Sequence, residues 1–493
     1  MLNLVIFFPL FVGLLLLLVP GSRPGWVRWG ALAATVLNLI FALILWFGYD
    51  PSGPALQWRT VLPWIPSIGA SYHVAVDGIS LPMILLTTVL MTVVMIYVLP
   101  DQEKGKGHAF LFLLMEAGLI GLFSARDLLL FYLFFEVGLV PMYFIIGIFG
   151  HERRRYAAVK FFLYTRAGSL AMLLAFLGLY LGMSPHTFSI PEIIAARPLA
   201  GRPLAAGLAF AGMLLGLGVK IPMVPIHNWL PDAHVEAPAE GSVILAGIQL
   251  KMGGYGLISI LLPLLPETAV RHAWVLLALA IVTLLYGALA SLAQNDFKRL
   301  IAYTSINHMG YLLLGAAVWA ISADPGIRRL ALNGAAFQMV SHGLLTGGMF
   351  FMVGILQDQS GTRDLARFGG LMGYLPVYSG LLAVLAFGSL GLPGLSGFPA
   401  EFQVIGAAVS GYFWGAVLAV LSLVITTAVY LKVLVHVIMG ERPKKLPPLS
   451  DMTGNQLGAV IPLAVLSLLI GILPFYLLRV IEGATRFLAG TGG

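Results

Sequence analysis

The stretch 216–256, GLGVKIPMVPIHNWLPDAHVEAPAEGSVILAGIQLKMGGYG, leaves few folds open to the chain that contains it. An apolar run carries Lys220 into what must be hydrocarbon, meets Pro222 and Pro225, and passes into a short polar turn holding His227, Asp232, His234, Glu236 and Glu240. A second apolar run follows with Lys251 beside Gly253, Gly254 and Gly256. An isolated charge at that depth costs roughly 2.5 to 3.5 kcal/mol on insertion scales, so something must compensate it. Proline removes a backbone bond and clashes with the preceding turn, so the helix is expected to break near the bilayer centre. Backbone groups freed there survive only inside protein or against water. A broken helix bearing a lysine therefore reads as the lining of a polar cavity, where transporters place their ion and substrate sites.

The hydrocarbon setting follows from composition. Of 493 residues, 59% are hydrophobic and 10% charged, against about 25% charged in soluble proteins, so the chain is an integral, polytopic membrane protein. Its net charge of +7 is scattered through short loops, which is a topology signal and argues against nucleic acid. The absence of cysteine excludes disulfides, thiolate iron–sulfur ligation and a cysteine nucleophile. No Gly-rich phosphate loop follows a strand, and no soluble stretch is large enough for a nucleotide domain. The expectation is a chain with no cofactor, metal site or redox centre of its own. The run 2–19 lacks a basic n-region and a clear cleavage site, and reads as a first span that stays.

At about 20 apolar residues per span, the sequence predicts an all-α architecture of about 14 transmembrane helices. They fall at 2–19, 27–47, 79–99, 109–123, 128–149, 157–181, 204–229 (broken), 243–265, 273–292, 300–321, 330–356, 374–409 (broken), 413–438 and 457–478. Segment 49–77, rich in proline and glycine and then alternating, predicts a hairpin outside the membrane. Arg23, Arg28, Lys104, Lys106, Arg153 to Arg155, Lys298, Arg299, Arg363, Arg367, Arg442, Lys444 and Lys445 fall on one side if the spans alternate. The other side holds fewer basic residues, among them Arg59, Arg126, Arg271, Arg328 and Arg329. The positive-inside rule makes the first set cytoplasmic and puts both termini outside.

The second interrupted span contains GSLGLPGLSGFPAEF, with Pro393 and Pro399 before Glu401. Two interrupted spans five apart predict two inverted repeats with sites at the midplane. The implied organisation is an N-terminal three-helix region with the hairpin at 1–107, five-helix units at 108–268 and 269–440, and a C-terminal helix and tail at 441–493. In that pairing Lys220 corresponds roughly to Glu401, and Lys251 falls opposite the helix containing Lys432.

Glu136 sits inside the fifth span with no charged neighbour in sequence, where an unpaired carboxylate must protonate or find a cation. Lys220 is its expected partner, because a carboxylate offsets the desolvation of a buried lysine. Lys251 is too far from either span end to reach water, and its glycines permit backbone approach. Glu401 and Glu116 are further mid-span carboxylates. His308, in AYTSINHMGY, and His342, near Gln338 and Ser341, can give and take protons near neutral pH. His227 and His234 suit a cytoplasmic proton entry route better than a metal, since no further ligand set accompanies them. Each of these residues could instead be a static structural pair or a satisfied core residue. Lys432 is expected to reach up to the nearby loop. Arg166 lies deeper and calls for a carboxylate on a neighbouring span that the sequence does not identify.

HVAVDGISLPM from His73, LLLFYLFFEVGLVPMYF from Leu128, VKIPMVPIHNWLPDAHVEAP from Val219, GSVILAGIQLKMGGYG from Gly241 and DFKRLIAYTSINHMGY from Asp296 closely resemble one family. It is the M-type antiporter-like membrane subunits of proton-pumping NADH:quinone oxidoreductase, respiratory complex I. The resemblance covers nearly the whole chain and implies a 14-helix subunit with two inverted five-helix units. It implies Glu136 as the carboxylate partner, Lys220 as the broken-helix lysine, Lys251 as the central relay lysine and Glu401 as the exit-side glutamate. His308 and Glu116 match further polar positions. The implied partners are the other membrane subunits of the complex, with related antiporter-like subunits on either side, together with protons, internal water and lipid. Binding of NADH or flavin is left to other subunits, and the implied location is a bacterial inner membrane. Two departures stand out: Ser259 where the family commonly has arginine after GGYGLI, and Arg166 where it has an apolar or amide residue.

The leading expectation is thus proton translocation along Glu136, Lys220, Lys251, His308 and Glu401, bridged by water and coupled to quinone reduction elsewhere in the complex. A subunit of a multisubunit sodium/proton antiporter is the alternative, disfavoured by the VDGIS stretch and by Glu401. A purely structural spacer predicts failed assembly and intact pumping on loss of Lys220. A lone solute carrier fits least, since no substrate-sized polar cluster emerges.

Overall fold

The computed structural model describes residues 1–441, 443 and 446–490. Arg442, Lys444 and Lys445, invoked above as loop charges, lie outside the described residues. Helices α1 (Leu2–Leu17) and α2 (Pro24–Phe47) lead into an antiparallel hairpin, β1 (Gln57–Ile65) and β2 (Ala70–Val76), in which Val61 faces His73. Gly69, at φ +66, makes its turn where a side chain would be strained. Then follow α3 (Ser80–Val98), α4 (Lys106–Ser124), α5 (Leu128–Phe149), α6 (Arg154–Leu181), α7 (Pro203–Lys220), the short α8 (Trp229–Glu236) and α9 (Ala239–Leu264). The second half comprises α10 (Ala273–Leu292), α11 (Phe297–Ile321), α12 (Pro325–Ser360), α13 (Pro376–Ser389), α14 (Gly397–Gly411) and α15 (Phe413–Val437). Helices α16 (Gly454–Ile472) and α17 (Pro474–Leu488) close the described chain.

Among the described residues, 11 helices are long and apolar enough to span a membrane. The shorter α1, the more polar α11 and the pair α13/α14 bring the crossings to the expected 14. Side-chain caps set several starts: Asp127 accepts from the amides of Leu129 and Leu130 at α5, and Asp296 from that of Arg299 at α11. Each supplies an acceptor for amides that have no partner inside the helix.

In each five-helix unit, α4 to α9 and α10 to α15, the fourth crossing is the interrupted one. The first break lies between Lys220 and Trp229 and the second between Ser389 and Gly397. The expected polar turn after the first break is instead a buried helix, α8, because Trp229, Leu230, Ala233 and Val235 give it apolar sides to pack. Lys220 is the last residue before its break, whereas Glu401 lies on the helix after its own. Their sequence pairing therefore does not carry over to equivalent places in the fold. The last span also ends earlier than expected, at Ile472, and the amphipathic α17 follows.

Helices α9 and α12 are buried along the whole of their apolar lengths, unlike the other spanning helices. They form the centre of the molecule, and two glycine contacts bring α7 against this centre and against α6. A Cβ on Gly216 would lie 2.7 Å from the Gly168 carbonyl oxygen, and one on Gly253 would lie 2.6 Å from that of Leu217.

Candidate functional site

Two π-helical turns, Leu245–Gln249 and Leu257–Leu261, flank the α-helical segment Leu250–Gly256 within α9. Such bulges cost hydrogen-bond geometry and recur at functional sites. Lys251 stands between them, fully buried. Its Nζ lies 2.5 Å from the carbonyl oxygen of Ala246, in the first π turn, and 2.5 Å from Nδ1 of His342 on α12. At that separation the amine and the imidazole nitrogen share one proton; a second would place two positive charges in contact.

From His342 the polar line continues across α12 to α11 and α14. The His342 and His308 rings are 5.6 Å apart, and His308 Nδ1 is 3.3 Å from Glu401 Oε1. Gln338 Nε2 lies 3.4 Å from the same His308 nitrogen. A small cavity of about 10 Å³, room for about one water, lies between these groups, lined also by Ser341, Thr346 and Ser389. His342 Nε2, His308 Nε2 and Glu401 Oε2 are buried without a hydrogen-bond partner among the described residues, which is the lining a water needs. The second break makes room for the carboxylate: Gly391, at φ +78, would bring a Cβ within 2.6 Å of Glu401 Oε2.

The Glu136 region is built differently. Glu136 does not pair with Lys220 as expected. Its Oε2 forms an ion pair with Arg166 Nη1 at 2.7 Å, and Arg166 Nη1 donates to Tyr132 Oη at 3.2 Å. The reason is geometric, since α5 and α6 are neighbours and place the guanidinium directly over the carboxylate, while Lys220 points between aromatic rings. Lys220 Nζ sits 5.1 Å from the Phe161 ring centre and 5.7 Å from that of Phe135, within cation–π range. Among the described residues it has no hydrogen-bond partner, nor has Glu136 Oε1, yet Glu136 is close enough for its field to act on the ammonium. The Gly253 contact also packs against the amide nitrogen of Ile221, so α9 touches the backbone on both sides of Lys220 two residues after Lys251.

A second polar group gathers where α3, α4, α8, α11 and α12 meet the start of α9. Glu240 is held by Lys104 and, at 3.1 Å, by His108 Nε2. Lys298 Nζ donates to the Ala237 carbonyl at 2.5 Å, and Arg363 to that of Val235 at 2.7 Å. Tyr97 Oη lies 3.2 Å from Asp358 Oδ2. His234 stacks on Phe350 with both ring nitrogens unpartnered among the described residues, and the charges of both Lys298 and Lys251 act on it. A polar crevice lined by His151, Glu236, Asp296, Gln357 and Arg363 opens at the same end. There His151 is lowered to about 4, by burial first and then by the charges of Lys298 and Arg363.

The remaining candidates stand apart. Glu116 accepts from Asn38 Nδ2 at 2.8 Å in the packing of α4 against α2. His227 packs edge-on to Tyr286 and Tyr303, not beside His234. Lys432 donates to the carbonyls of Leu292 and Gln294 and so caps the end of α10. Sequence reasoning missed Lys298 and His108 as buried participants, and Lys104 as the partly exposed partner of Glu240. Lys298 precedes Arg299 in what reads as an ordinary loop pair, and nothing in the linear pattern separates the buried lysine from the partly exposed arginine.

Comparison with known proteins gives a consistent picture. Residues 125–426 match the family model described as NADH:quinone oxidoreductase/Mrp antiporter, transmembrane. NADH-quinone oxidoreductase subunit M of Rhodobacter capsulatus is 40% identical over 491 residues, covering 96% of this chain and 93% of that one. The chain is similar to one in respiratory complex I from Thermus thermophilus, with a TM-score of 0.87, 32% identity and full coverage of both chains. A chain of the Mrp complex from Dietzia sp. shares the fold, with a TM-score of 0.88, at 21% identity, covering 100% of this chain and 97% of that one.

Proposed function

Since the chain belongs to the NADH:quinone oxidoreductase/Mrp antiporter family, as an M-type membrane subunit of NADH:quinone oxidoreductase, we propose that its protons travel the line Lys220, Lys251, His342, His308, Glu401. It is an integral membrane part of a translocating oxidoreductase and stands among other antiporter-like subunits of the membrane arm.

The observation that carries the residue assignment is the contiguity of Lys251, His342, His308 and Glu401 inside an otherwise apolar core. In an interior of low dielectric, charges so close cannot all be present, so proton occupancy at one group sets occupancy at the next. A proton entering past Lys298, Glu240 and His234 reaches Lys251. Passing it to His342 frees the lysine for another. Water in the cavity bridges His342 to His308, and Glu401 receives the proton at the far end. Glu136 controls the supply side: facing Lys220 it holds the ammonium, and captured by Arg166 it releases it. Glu116 and His227 stand aside from this line.

The units 108–268 and 269–440 are read as the two inverted repeats, with Lys104, Lys298 and Arg363 at the cytoplasmic end, both termini outside, and a bacterial inner membrane as the setting. The chain is read as holding no cofactor or metal, with NADH oxidation and quinone reduction performed elsewhere in the complex. The test is proton pumping by sealed membranes carrying Lys220→Ala or Glu136→Gln, with complex assembly measured in parallel. Loss of pumping in assembled complex is expected; undiminished pumping would end the relay assignment.

A further inference from the structure

Arg166 is a guanidinium in the middle of an apolar helix face. On α6, the exposed Val159, Leu163, Leu170 and Leu174 follow helical spacing, and Arg166 fills the place between Leu163 and Leu170. Glu136 stands likewise between the exposed Leu133 and Val140 of α5. The arginine is 12 residues from the start of α6 and 15 from its end, roughly 18 and 22 Å of helix. Neither headgroup layer is within reach of its side chain from there.

Only Nη1 of this guanidinium is engaged, by Glu136 and Tyr132; among the described residues, Nη2 and Nε have no acceptor, and the side chain is 40% exposed. Donors left bare in hydrocarbon are costly, so an acceptor has to come from outside the chain. Charge selects its type. Two cations, Arg166 and Lys220, share one carboxylate here, and a guanidinium fork fits a second carboxylate on its free edge.

We propose that the α5–α6 face seats a neighbouring membrane subunit that presents a carboxylate to the free edge of Arg166. The guanidinium is then shared between that carboxylate and Glu136. A movement of the neighbour that draws Arg166 outward releases Glu136 to Lys220, and the reverse movement takes it back. Arg166 is in this sense a positioning residue, through which the neighbour acts on the lysine. The inference rests on the role proposed above for Glu136 and Lys220.

Arg166→Leu completes the apolar stripe and would be harmless against acyl chains. In the intact complex it is expected instead to release the neighbouring subunit at lower detergent concentration and to lower the protons pumped per electron, with Arg166→Lys restoring both. The Arg166→Lys complex also reads the contact directly. Dicyclohexylcarbodiimide activates buried carboxyl groups, and the introduced amine is expected to form an amide with one on the neighbouring subunit, identified by mass spectrometry. Unchanged association and pumping in Arg166→Leu, or a cross-link to Glu136 alone, overturns the proposal. Lys220→Ala, measured alongside, separates the two ideas: lost pumping there with a normal Arg166→Leu complex keeps the relay and removes only the partner contact.

Discussion

The two five-helix units carry the same interruption at the same crossing, yet they use it oppositely. In the second, the break delivers Glu401 into a closed chain of partners, with His308 3.3 Å away and a polar cavity beside it. In the first, the break leaves Lys220 at a helix end with two aromatic faces and no hydrogen bond, and Glu136 is drawn outward to a half-exposed arginine. In the proposed relay the connected chain transmits and the frustrated triad decides. The negative end of the α7 dipole adds a modest favourable field at Lys220, alongside that of Glu136. Repeat symmetry sets where helices break, and the side chains around each break set what the break does.

The largest effect that tests this contrast is expected from Lys251→Met. It keeps length and apolar bulk while removing the group that joins the two regions, and His342 loses its 2.5 Å partner. Pumping through this subunit should fall by at least about tenfold, a barrier increase of about 1.4 kcal/mol or more, with assembled complex retained. Arg166→Lys should fall well short of that. Equal losses from the two would erase the distinction between transmitting and deciding.

Next in size is a packing change. A valine at Gly216 meets the Gly168 carbonyl and the Met172 side chain, each 2.7 Å from the added Cβ, forcing α6 and α7 apart at the first break. Overpacking of this kind costs about 1 to 3 kcal/mol. It should appear as a lower melting temperature of the solubilised complex together with altered pumping. Gly178→Ala, at a position with nothing within 4 Å, should change neither measurement. Smaller still is Glu116→Gln, which keeps the neighbour of Asn38 and leaves both regions untouched. Pumping within about twofold of normal is expected, and a loss comparable to that of Lys251→Met would move Glu116 into the relay.

Much of this was legible because deep charges are expensive. Lys220, Lys251, Glu136 and Glu401 announce themselves in apolar runs, and proline marks both breaks. The spans and the hairpin followed from length and alternation alone. Pairing was not legible. Nothing in the sequence around Glu136 says that α6 packs closer to it than α7 does, so Arg166 took the place assigned to Lys220. Lys298 reads as a loop charge because a helix that begins inside the protein looks, in one dimension, like one that begins at its surface. Lys251 and Lys432 were separable by depth: the mid-span lysine enters the core, and the one near a span end reaches the end of α10.

The smallest effect concerns the seam between the two regions. His151, in the loop between α5 and α6, faces Gln357 of α12 across 3.2 Å and borders the crevice shared by both units. Burial, with the charges of Lys298 and Arg363, lowers it to about 4, against about 6.5 in an unfolded chain. Above pH 6.5 the imidazole is neutral in both states and costs nothing. As pH falls from 6.5 towards 4 the unfolded chain binds a proton that the folded one refuses, so stability drops with acid and levels off once the folded state also protonates. After allowance for solvent screening the loss is on the order of 1 kcal/mol. It should show as faster amide exchange across 150–153 and the end of α12 at pH 5 than at pH 7, beyond the intrinsic pH dependence of exchange. His151→Gln should remove that difference. If exchange there proved indifferent to acid while α9 responded, the pH-sensitive joint would lie inside the relay and not at the seam between its halves.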